Sequence, residues 1–271
     1  MKKIKNIFMT VLLMLLSVGV VACSNQKNAK SDTLTKNTLI VGLNPSGYGP
    51  FSHLENGKLT GFEVEMAKAL TKKMGYKIKF VPTKWDSLIA GLGAKKFDVV
   101  INDIAVTPER KKAYAFSTPY LYSRSVLIMR SDNSKIKKIT DIRGEKVAAA
   151  TGTANADLVR KFGGENISSP DFSTAMELVR QKRVTSAMNS KESFLYFKKT
   201  QKVSDLKYLQ ASDTDIPTQP VAIMLNKDNS NLQTKINNAL KSLRKDGTLT
   251  KLSKKYFAAD ITKKETVKFF V

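Results

Sequence analysis

The sequence predicts an α/β fold in two lobes, with a ligand cleft between them. Strand-like and helix-like patterns alternate along the chain, which is typical of α/β layers with largely parallel sheets. Two extended segments, residues 119–129 and the proline-containing residues 213–220, interrupt this alternation. The chain would cross there to a second lobe and return. Two lobes that are joined by two extended strands can close on a ligand.

The strands follow from short apolar or alternating runs. Residues 38–43 (TLIVGL) and residues 98–101 (DVVI) are apolar and rich in β-branched side chains, as buried strands are. Residues 77–80 alternate polar and apolar positions, as a half-buried strand does. Further strands are expected at residues 146–150, 184–188 and 221–225.

The helices follow from apolar positions that recur every three or four residues. The first ends near Gly75 and carries its apolar face at Val64, Ala67, Leu70 and Met74. Trp85 opens the next helix, and others are expected at residues 155–162, 173–181 and 191–199. A long final helix is stopped by Asp246-Gly247 and carries its apolar face at Leu232, Ile236, Leu240 and Leu243.

The N-terminus has the pattern of a secretory signal. Three lysines precede an apolar run that ends at the only cysteine, Cys23, and the junction VVAC resembles a bacterial lipobox. We expect a signal peptide at residues 1–22, a lipid on Cys23 and a flexible polar tether at residues 23–37. The alternative is an uncleaved membrane anchor with an incidental cysteine, although the run is short for a membrane span.

Composition excludes several classes of function. With one cysteine and one histidine, His53, the sequence offers no disulfide and no His or Cys metal cluster, and His53 lies in a turn-rich stretch unsuited to a catalytic triad. No cofactor is expected. The net charge of +23 comes from scattered lysines without a nucleic-acid motif, so a basic surface beside an anionic cell envelope is the preferred interpretation.

Seven motifs support a family resemblance. They occur in the order VGLNPSGYGPF, GFEVEMA, KWDSLIAGL, FDVVIN, TPERKKAYAFSTPY, ATGTAN and DGTLTKLSKKYF. From residue 39 to about residue 261, the chain resembles the polar amino-acid family of solute-binding lipoproteins that serve ABC importers, known as solute-binding protein family 3. The GFEVE, PTKWD and GTLTKLSKKYFAADIT stretches look most like the cystine-binding subgroup.

The resemblance implies a periplasmic-binding-protein-like fold. Its first lobe would hold residues 38–119 and 221–271, its second lobe residues 125–215, and its hinge strands residues 120–124 and 216–220. It also implies a monomer outside the cytoplasm, anchored to the membrane by lipid, that captures a polar amino acid, with cystine or a related sulfur amino acid as the best guess. The protein would close around this ligand and deliver it to an ABC permease.

Arg110 is the first candidate for the ligand carboxylate. It follows a buried strand whose end is polar, where small ligands dock in open α/β sheets, and its guanidinium suits a carboxylate. The alternative is a structural arginine that pairs with Glu109 or another acid. Thr153, in the turn Thr151-Gly152-Thr153, is expected to add backbone and hydroxyl donors from the other lobe, at the start of a helix.

The resemblance and the strand ends supply further contacts. Tyr48 and Trp85 match the positions where the family holds its ligand between aromatic rings, and Phe51 would support that wall. Asn44, at the end of the first strand, is a candidate contact to the distal group of the ligand. The backbone at Asp103, Ile104 and Ala105 is expected to face the ligand ammonium.

One departure from the family pattern concerns the ammonium. Many relatives carry an aspartate where this chain has Ser190. A buried ammonium needs a charged or multiple-acceptor partner. The hypothesis is that Asp103 or Glu192 supplies the charge, with Asn189 assisting. Glu63 and Glu65 are interpreted as charges at a helix N-terminus, where the helix dipole favours them.

Two other functions remain open from the sequence. A few relatives are dehydratases, and Glu192 and Asp103 could be recruited for acid–base chemistry, but no second catalytic group is indicated. No enzymatic activity is therefore expected. A surface adhesin or sensory lipoprotein on the same fold is the other alternative, because fold resemblance alone does not exclude it.

Overall fold

The computed structural model describes residues 31–45 and 49–264. The signal segment at residues 1–22, Cys23 and Tyr48 lie outside the described residues, and the interpretations given to them stay predictions. Among the helices of the described ranges, none has the length and apolar content that crossing a membrane requires.

Strands and helices alternate through much of the described residues, as predicted, but strands follow one another at residues 38–60, 114–130 and 206–226, and a further helix follows the one that was expected to be the last. The strands are β1 (Thr38–Leu43), β2 (His53–Glu55), β3 (Lys58–Thr60), β4 (Lys77–Pro82), β5 (Val99–Val100), β6 (Tyr114–Phe116), β7 (Leu121–Ser123), β8 (Ser125–Arg130), β9 (Lys146–Ala149), β10 (Glu165–Ser168), β11 (Ser186–Ser190), β12 (Leu206–Leu209), β13 (Gln219–Val221) and β14 (Met224–Asn226). The helices are α1 (Phe62–Met74), α2 (Trp85–Gly93), α3 (Pro108–Ala113), α4 (Ala154–Lys161), α5 (Phe172–Arg180), α6 (Lys191–Thr200), α7 (Ser230–Lys245) and α8 (Thr248–Phe257).

The first lobe is built on a sheet with the strand order β4-β1-β5-β14-β6. β4, β1 and β5 are parallel, whereas β14 runs antiparallel to both β5 and β6. Apolar side chains of α1, α7 and α8 cover one face of this sheet, and those of α2 cover the other. Because both faces are covered, Val41 and Val99 in the middle of the sheet are fully buried.

The second lobe is built on a sheet with the order β10-β9-β11-β8-β12. β10, β9 and β11 are parallel, whereas β8 runs antiparallel to β11 and β12. α5 and α6 pack on one face of the sheet, and α4 packs on the other together with a 3-10 turn at Ile139–Ile142. The prediction of an α/β fold in two sheet-containing lobes is confirmed.

The prediction of largely parallel sheets holds for four of the five strands in each sheet. β14 in the first sheet and β8 in the second run opposite to the other four, and this exception follows from the path of the chain. The parallel strands run toward the cleft, so their carboxyl ends face it. β8 and β14 enter their lobes from the cleft side, directly after β7 and β13, and therefore run in the opposite direction.

β7 and β13 are the two chain segments that cross between the sheets. They pair antiparallel, with Gln219 opposite Ser123 and Val221 opposite Leu121. β13 also contacts the loop after β5, because Ala222 N–H donates to Ile104 O at 3.2 Å and Val106 N–H donates to Pro220 O at 2.9 Å. These pairings favour the predicted hinge strands. The exact residue bounds of the lobes and hinges stay a prediction.

The predicted tether is longer than the structure allows. Its last part is attached to the first lobe: Asp32 accepts hydrogen bonds from the Tyr76 hydroxyl at 2.9 and 3.0 Å and forms an ion pair with Lys235 at 2.8 Å. Leu34 N–H donates to Asp98 Oδ1 at 2.7 Å. This segment is polar, so hydrogen bonds and an ion pair make its contacts. Its sequence has no apolar periodicity from which those contacts could be predicted.

The start of α1 sets the positions of two side chains that are important below. Gly61 precedes the helix with a φ of 123°, and a Cβ atom there would lie 2.3 Å from Phe51 O. This close approach lets Phe62 N–H and Glu63 N–H donate to Pro50 O and Phe51 O at 2.8 and 2.9 Å. Phe51 and Glu63 are thereby held side by side at the edge of the first lobe.

Candidate functional site

A cavity of about 180 Å³ lies between the two lobes. Its walls include residues at the carboxyl ends of β1, β5, β9 and β11, where open α/β sheets bind small ligands. Eight residues that the sequence predicted as ligand contacts line this cavity: Asn44, Phe51, Trp85, Asp103, Ala105, Arg110, Thr153 and Asn189.

Arg110 reaches across the cavity from the first lobe. Its Nη1 donates to Ala105 O at 2.8 Å, and its Nη2 donates to Gly152 O of the second lobe at 3.1 Å. Burial lowers the pKa of the guanidinium, against the charges of Asp157 and Asp103, but arginine stays charged in proteins. Since a guanidinium has five N–H groups, donors remain for an anionic ligand. Among the described residues, both side-chain hydrogen bonds of Arg110 go to main-chain oxygens, and none goes to Glu109.

Trp85 makes a second bond across the cavity. Its Nε1–H donates to Thr151 O at 3.0 Å, and the guanidinium carbon of Arg110 lies 5.9 Å from the centre of the indole ring. We call the bonds from Trp85 to Thr151 O and from Arg110 to Gly152 O the latch. Both latch donors are side chains of the first lobe, and both acceptors are main-chain oxygens of the second.

Thr153 lines the cavity, but it does not have the predicted role of donating hydrogen bonds to the ligand. Its hydroxyl donates to Ala150 O at 2.7 Å and accepts from Ala156 N–H at 3.1 Å, which makes it the N-cap of α4. Its own N–H donates to Ala150 O at 3.3 Å. The predicted donors are thus used within the turn. The first-turn N–H groups of Ala154 and Asn155, which also line the cavity, are the donors that a helix start leaves available.

The interpretation of Glu63 as a simple charge at a helix N-terminus is incomplete. It lies in the first turn of α1, but it is only 1% exposed and lines the cavity. Its Oε1 accepts hydrogen bonds from the Tyr120 hydroxyl and, at 2.6 Å, from Asp103 N–H. Burial raises the pKa of the Glu63 carboxyl to about 7, although these two hydrogen bonds oppose the shift.

Asp103 brings a second carboxyl to the same wall. Its φ of 48° is unusual for a residue other than glycine, and aspartate tolerates it better than most side chains. Burial raises the pKa of Asp103 well above its ordinary value, the charges of Glu63 and Glu192 raise it further, and Arg110 lowers it. The cavity therefore has a cationic group in Arg110 and two neighbouring acidic groups in Glu63 and Asp103, besides Asp171, whose Oδ1 accepts from Thr174 N–H and caps α5.

Glu192 and Ser190 lie differently from the expectation. Glu192 accepts a hydrogen bond from Ser123 Oγ at 2.9 Å and lines a different cavity, which is bordered by α6 and α8. Ser190 does line the cleft, but its Oγ caps α6 through Ser193 N–H at 3.3 Å. Ile104 is fully buried in the core beside α2, and its carbonyl accepts from Ala222 N–H. The structure thus brings Asp103 to the cleft wall, whereas Glu192 lies behind Ser123 and Ile104 lies in the core, and neither lines the cleft.

Several cavity residues were not predicted as ligand contacts. They are polar, they come from both lobes, and they include Glu63, Asn102, Ser123, Ser125, Asn155, Asp171 and Gln219. Asn102 stood in the polar sequence after the buried strand, and its Oδ1 accepts from Asn44 N–H at 2.7 Å, which ties the ends of β5 and β1 together. Serine and asparagine residues in turns give no sequence signal that separates a cavity wall from an exposed loop.

Comparison with known families gives a match along most of the chain. Residues 39–259 match the model of a family described as bacterial extracellular solute-binding proteins, family 3. The chain is 37% identical to a probable amino-acid ABC transporter-binding protein of Haemophilus influenzae, over 95% of this chain and 99% of that protein. It is 37% identical to the L-cystine-binding protein TcyJ of Escherichia coli, over 84% of this chain and 85% of that protein.

Solved structures agree with these sequence similarities. An ancestral arginine-binding protein bound to glutamine matches with a TM-score of 0.76 and 34% identity, over 82% of this chain and 99% of that chain. The relatives named here thus bind different amino acids, and none of the names describes an enzyme.

Proposed function

Because the chain belongs to the bacterial extracellular solute-binding proteins of family 3, we propose that it captures a polar amino acid in this cleft and delivers it to the permease of an ABC importer. The observation that carries the proposal is the cavity itself, which has Arg110 for a carboxylate and Glu63 and Asp103 for an ammonium. An α-amino acid has these two groups on one carbon atom.

Arg110 explains how a ligand would favour the closed form. It already touches both lobes through Ala105 O and Gly152 O. A carboxylate on its remaining donors, close to the first turn of α4, would interact with groups of both lobes at once. A ligand shifts the equilibrium toward closure only through such contacts, which the open form cannot make.

Asp103 is the acid that we assign to the ligand ammonium. It lines the cleft, whereas Glu192 lines the other cavity, so the alternative that Glu192 takes this role is the weaker one. Asn44 and Trp85 would face the side chain of the ligand. We keep cystine or a related sulfur amino acid as the best candidate, because TcyJ is named as an L-cystine-binding protein.

The ligand is identified by calorimetry on the full-length protein in detergent. The panel consists of cystine, cysteine, glutamine, glutamate, histidine, arginine and methionine. We expect one of them, with cystine as first choice, to bind in the micromolar range or tighter. Folded protein that binds none of the seven would contradict the proposed amino-acid capture.

We also propose that the protein is a monomer held at the outer face of the membrane by lipid on Cys23, which lies outside the described residues. The support is the VVAC junction after the apolar run. In cells that express the Cys23→Ala variant, we expect the protein to move from the membrane fraction to the medium or to remain as an unprocessed precursor. An unchanged mature membrane-bound protein would rule out the lipid.

A further inference from the structure

Two carboxyl groups of the first lobe meet at the wall of the cleft. Glu63 comes from the first turn of α1, and Asp103 follows β5. They are joined by the hydrogen bond from Asp103 N–H to Glu63 Oε1 at 2.6 Å. The other oxygen of Glu63, Oε2, and Oδ1 of Asp103 are buried and have no hydrogen-bond partner among the described residues. Both residues line the cavity, so two buried acceptors stand ready for a donor.

Few opposite charges face this pair. Tyr120, from the segment before β7, donates its hydroxyl hydrogen to Glu63 Oε1. Glu192, at the start of α6, adds negative charge near Asp103, and Arg110 of α3 adds positive charge. Asp157 of α4 partly offsets Arg110, because its charge also acts on that guanidinium. Acids therefore outnumber the cation around the pair, and two buried carboxylates do not both ionise readily in such surroundings.

We propose that Glu63 and Asp103 form a proton-exchanging ammonium site, in which the empty pair holds one proton and the ammonium of an amino acid displaces it into water. The inference rests on the proposed capture of an amino acid and adds Glu63 as a binding residue. On binding, the carboxyl O–H bond of the pair breaks and its proton goes to solvent. N–H groups of the ammonium then donate to Oε2 of Glu63 and Oδ1 of Asp103.

Proton displacement links affinity to pH. The pKa of the Glu63 carboxyl is raised to about 7 in the empty protein, and an arriving cation lowers it. Between pH 6 and pH 8 we expect the affinity to rise about tenfold, because up to one proton leaves per ligand bound. A ligand that retains the carboxylate but lacks the ammonium should release no proton.

The test is calorimetry of the seven-member panel at pH 6, 7 and 8, each in phosphate and in imidazole. These buffers differ in ionisation enthalpy, so the difference in heat gives the number of protons released. In wild-type protein we expect a release of a substantial fraction of one proton near pH 7. In Glu63→Gln we expect binding to persist with almost no release and with affinity that changes less than about threefold between pH 6 and pH 8.

Glu65→Gln is the matched control, since Glu65 lies in the same helix but pairs with Lys255 and Tyr256 away from the cleft. It should retain the wild-type proton release. Wild-type binding without proton exchange would overturn the inference while leaving amino-acid capture intact, and so would full release in a folded Glu63→Gln variant. If Glu63→Gln does not fold, the wild-type buffer comparison decides alone. Absence of binding to all seven amino acids would overturn both proposals.

Discussion

Replacing Arg110 with alanine is expected to weaken amino-acid binding by about a hundredfold, because two charged hydrogen bonds to a carboxylate contribute about 3 kcal/mol. The change would also remove the bond from Nη2 to Gly152 O, so the two lobes would lose one contact between them. Calorimetry with the amino acid that binds wild-type protein most tightly measures the loss. Arg110→Lys retains the charge but not the planar fork, and it should recover only part of the affinity.

Lys111→Ala is the control for this experiment. Lys111 is the next residue of the same short helix, it is exposed, and its removal changes the net charge by the same amount. The Lys111→Ala variant should bind the amino acid with the same affinity as wild-type protein. Equal losses in Arg110→Ala and Lys111→Ala would show that general charge, and not a carboxylate contact, controls binding. An unchanged affinity in Arg110→Ala would remove Arg110 from the site.

Replacing Glu63 with glutamine is expected to change how stability depends on pH. In the ligand-free protein, burial raises the pKa of Glu63 from 4.5 to about 7. A raised pKa means that the folded state favours the protonated carboxyl. This contribution to stability is complete below pH 4.5 and is lost as the pH rises through 7. At 1.36 kcal/mol per pH unit, the loss amounts to about 3 kcal/mol by pH 8.

The measurement is urea unfolding of wild-type protein and of Glu63→Gln between pH 5 and pH 8. Glutamine is neutral throughout, so the variant should lose much less stability than wild-type protein over this range. Glu65→Gln serves as a control of opposite sign. Burial alone would raise the pKa of Glu65, but hydrogen bonds from Lys255 and Tyr256 outweigh it and lower the pKa. Glu65 thus stabilises the folded state at neutral pH and less so in acid. Parallel curves for wild-type protein and Glu63→Gln would refute the expectation.

Much of the fold could be predicted because its elements have strong local patterns. β1 has the predicted bounds, and α1 ends at Met74, where Gly75 adopts a φ of 69°. The edge strands β6, β10 and β12 and the hairpin of β2 and β3 were not predicted. These strands are short, and several carry polar or exposed residues, so alternation within three or four positions is too weak a signal. The antiparallel strands depended on the chain path between lobes, which local patterns do not contain.

The site could be predicted where a residue type has one obvious chemistry. Arg110 followed a buried strand, and its position, its guanidinium and the family resemblance together predicted that it would lie in the cleft, whose cavity it lines. Glu63 could not be recognised, because an acid in the first turn of a helix has a common explanation in the helix dipole. Its burial results from Gly61, which brings the helix start against Phe51 O, and from Tyr120, which is 57 positions away in sequence. Such a contact follows only from the tertiary structure.

The latch has an evolutionary consequence, because both of its acceptors are peptide oxygens. Mutation of a residue changes its side chain and leaves its carbonyl group in place, so the second lobe can vary Thr151 without deleting an acceptor. The donors, Trp85 and Arg110, are side chains and can be lost by a single substitution. Selection on closure should therefore act on the first lobe, while the opposing loop stays free to acquire new ligand contacts. Related proteins could therefore change the ligand that they bind without losing the hydrogen bonds of the latch.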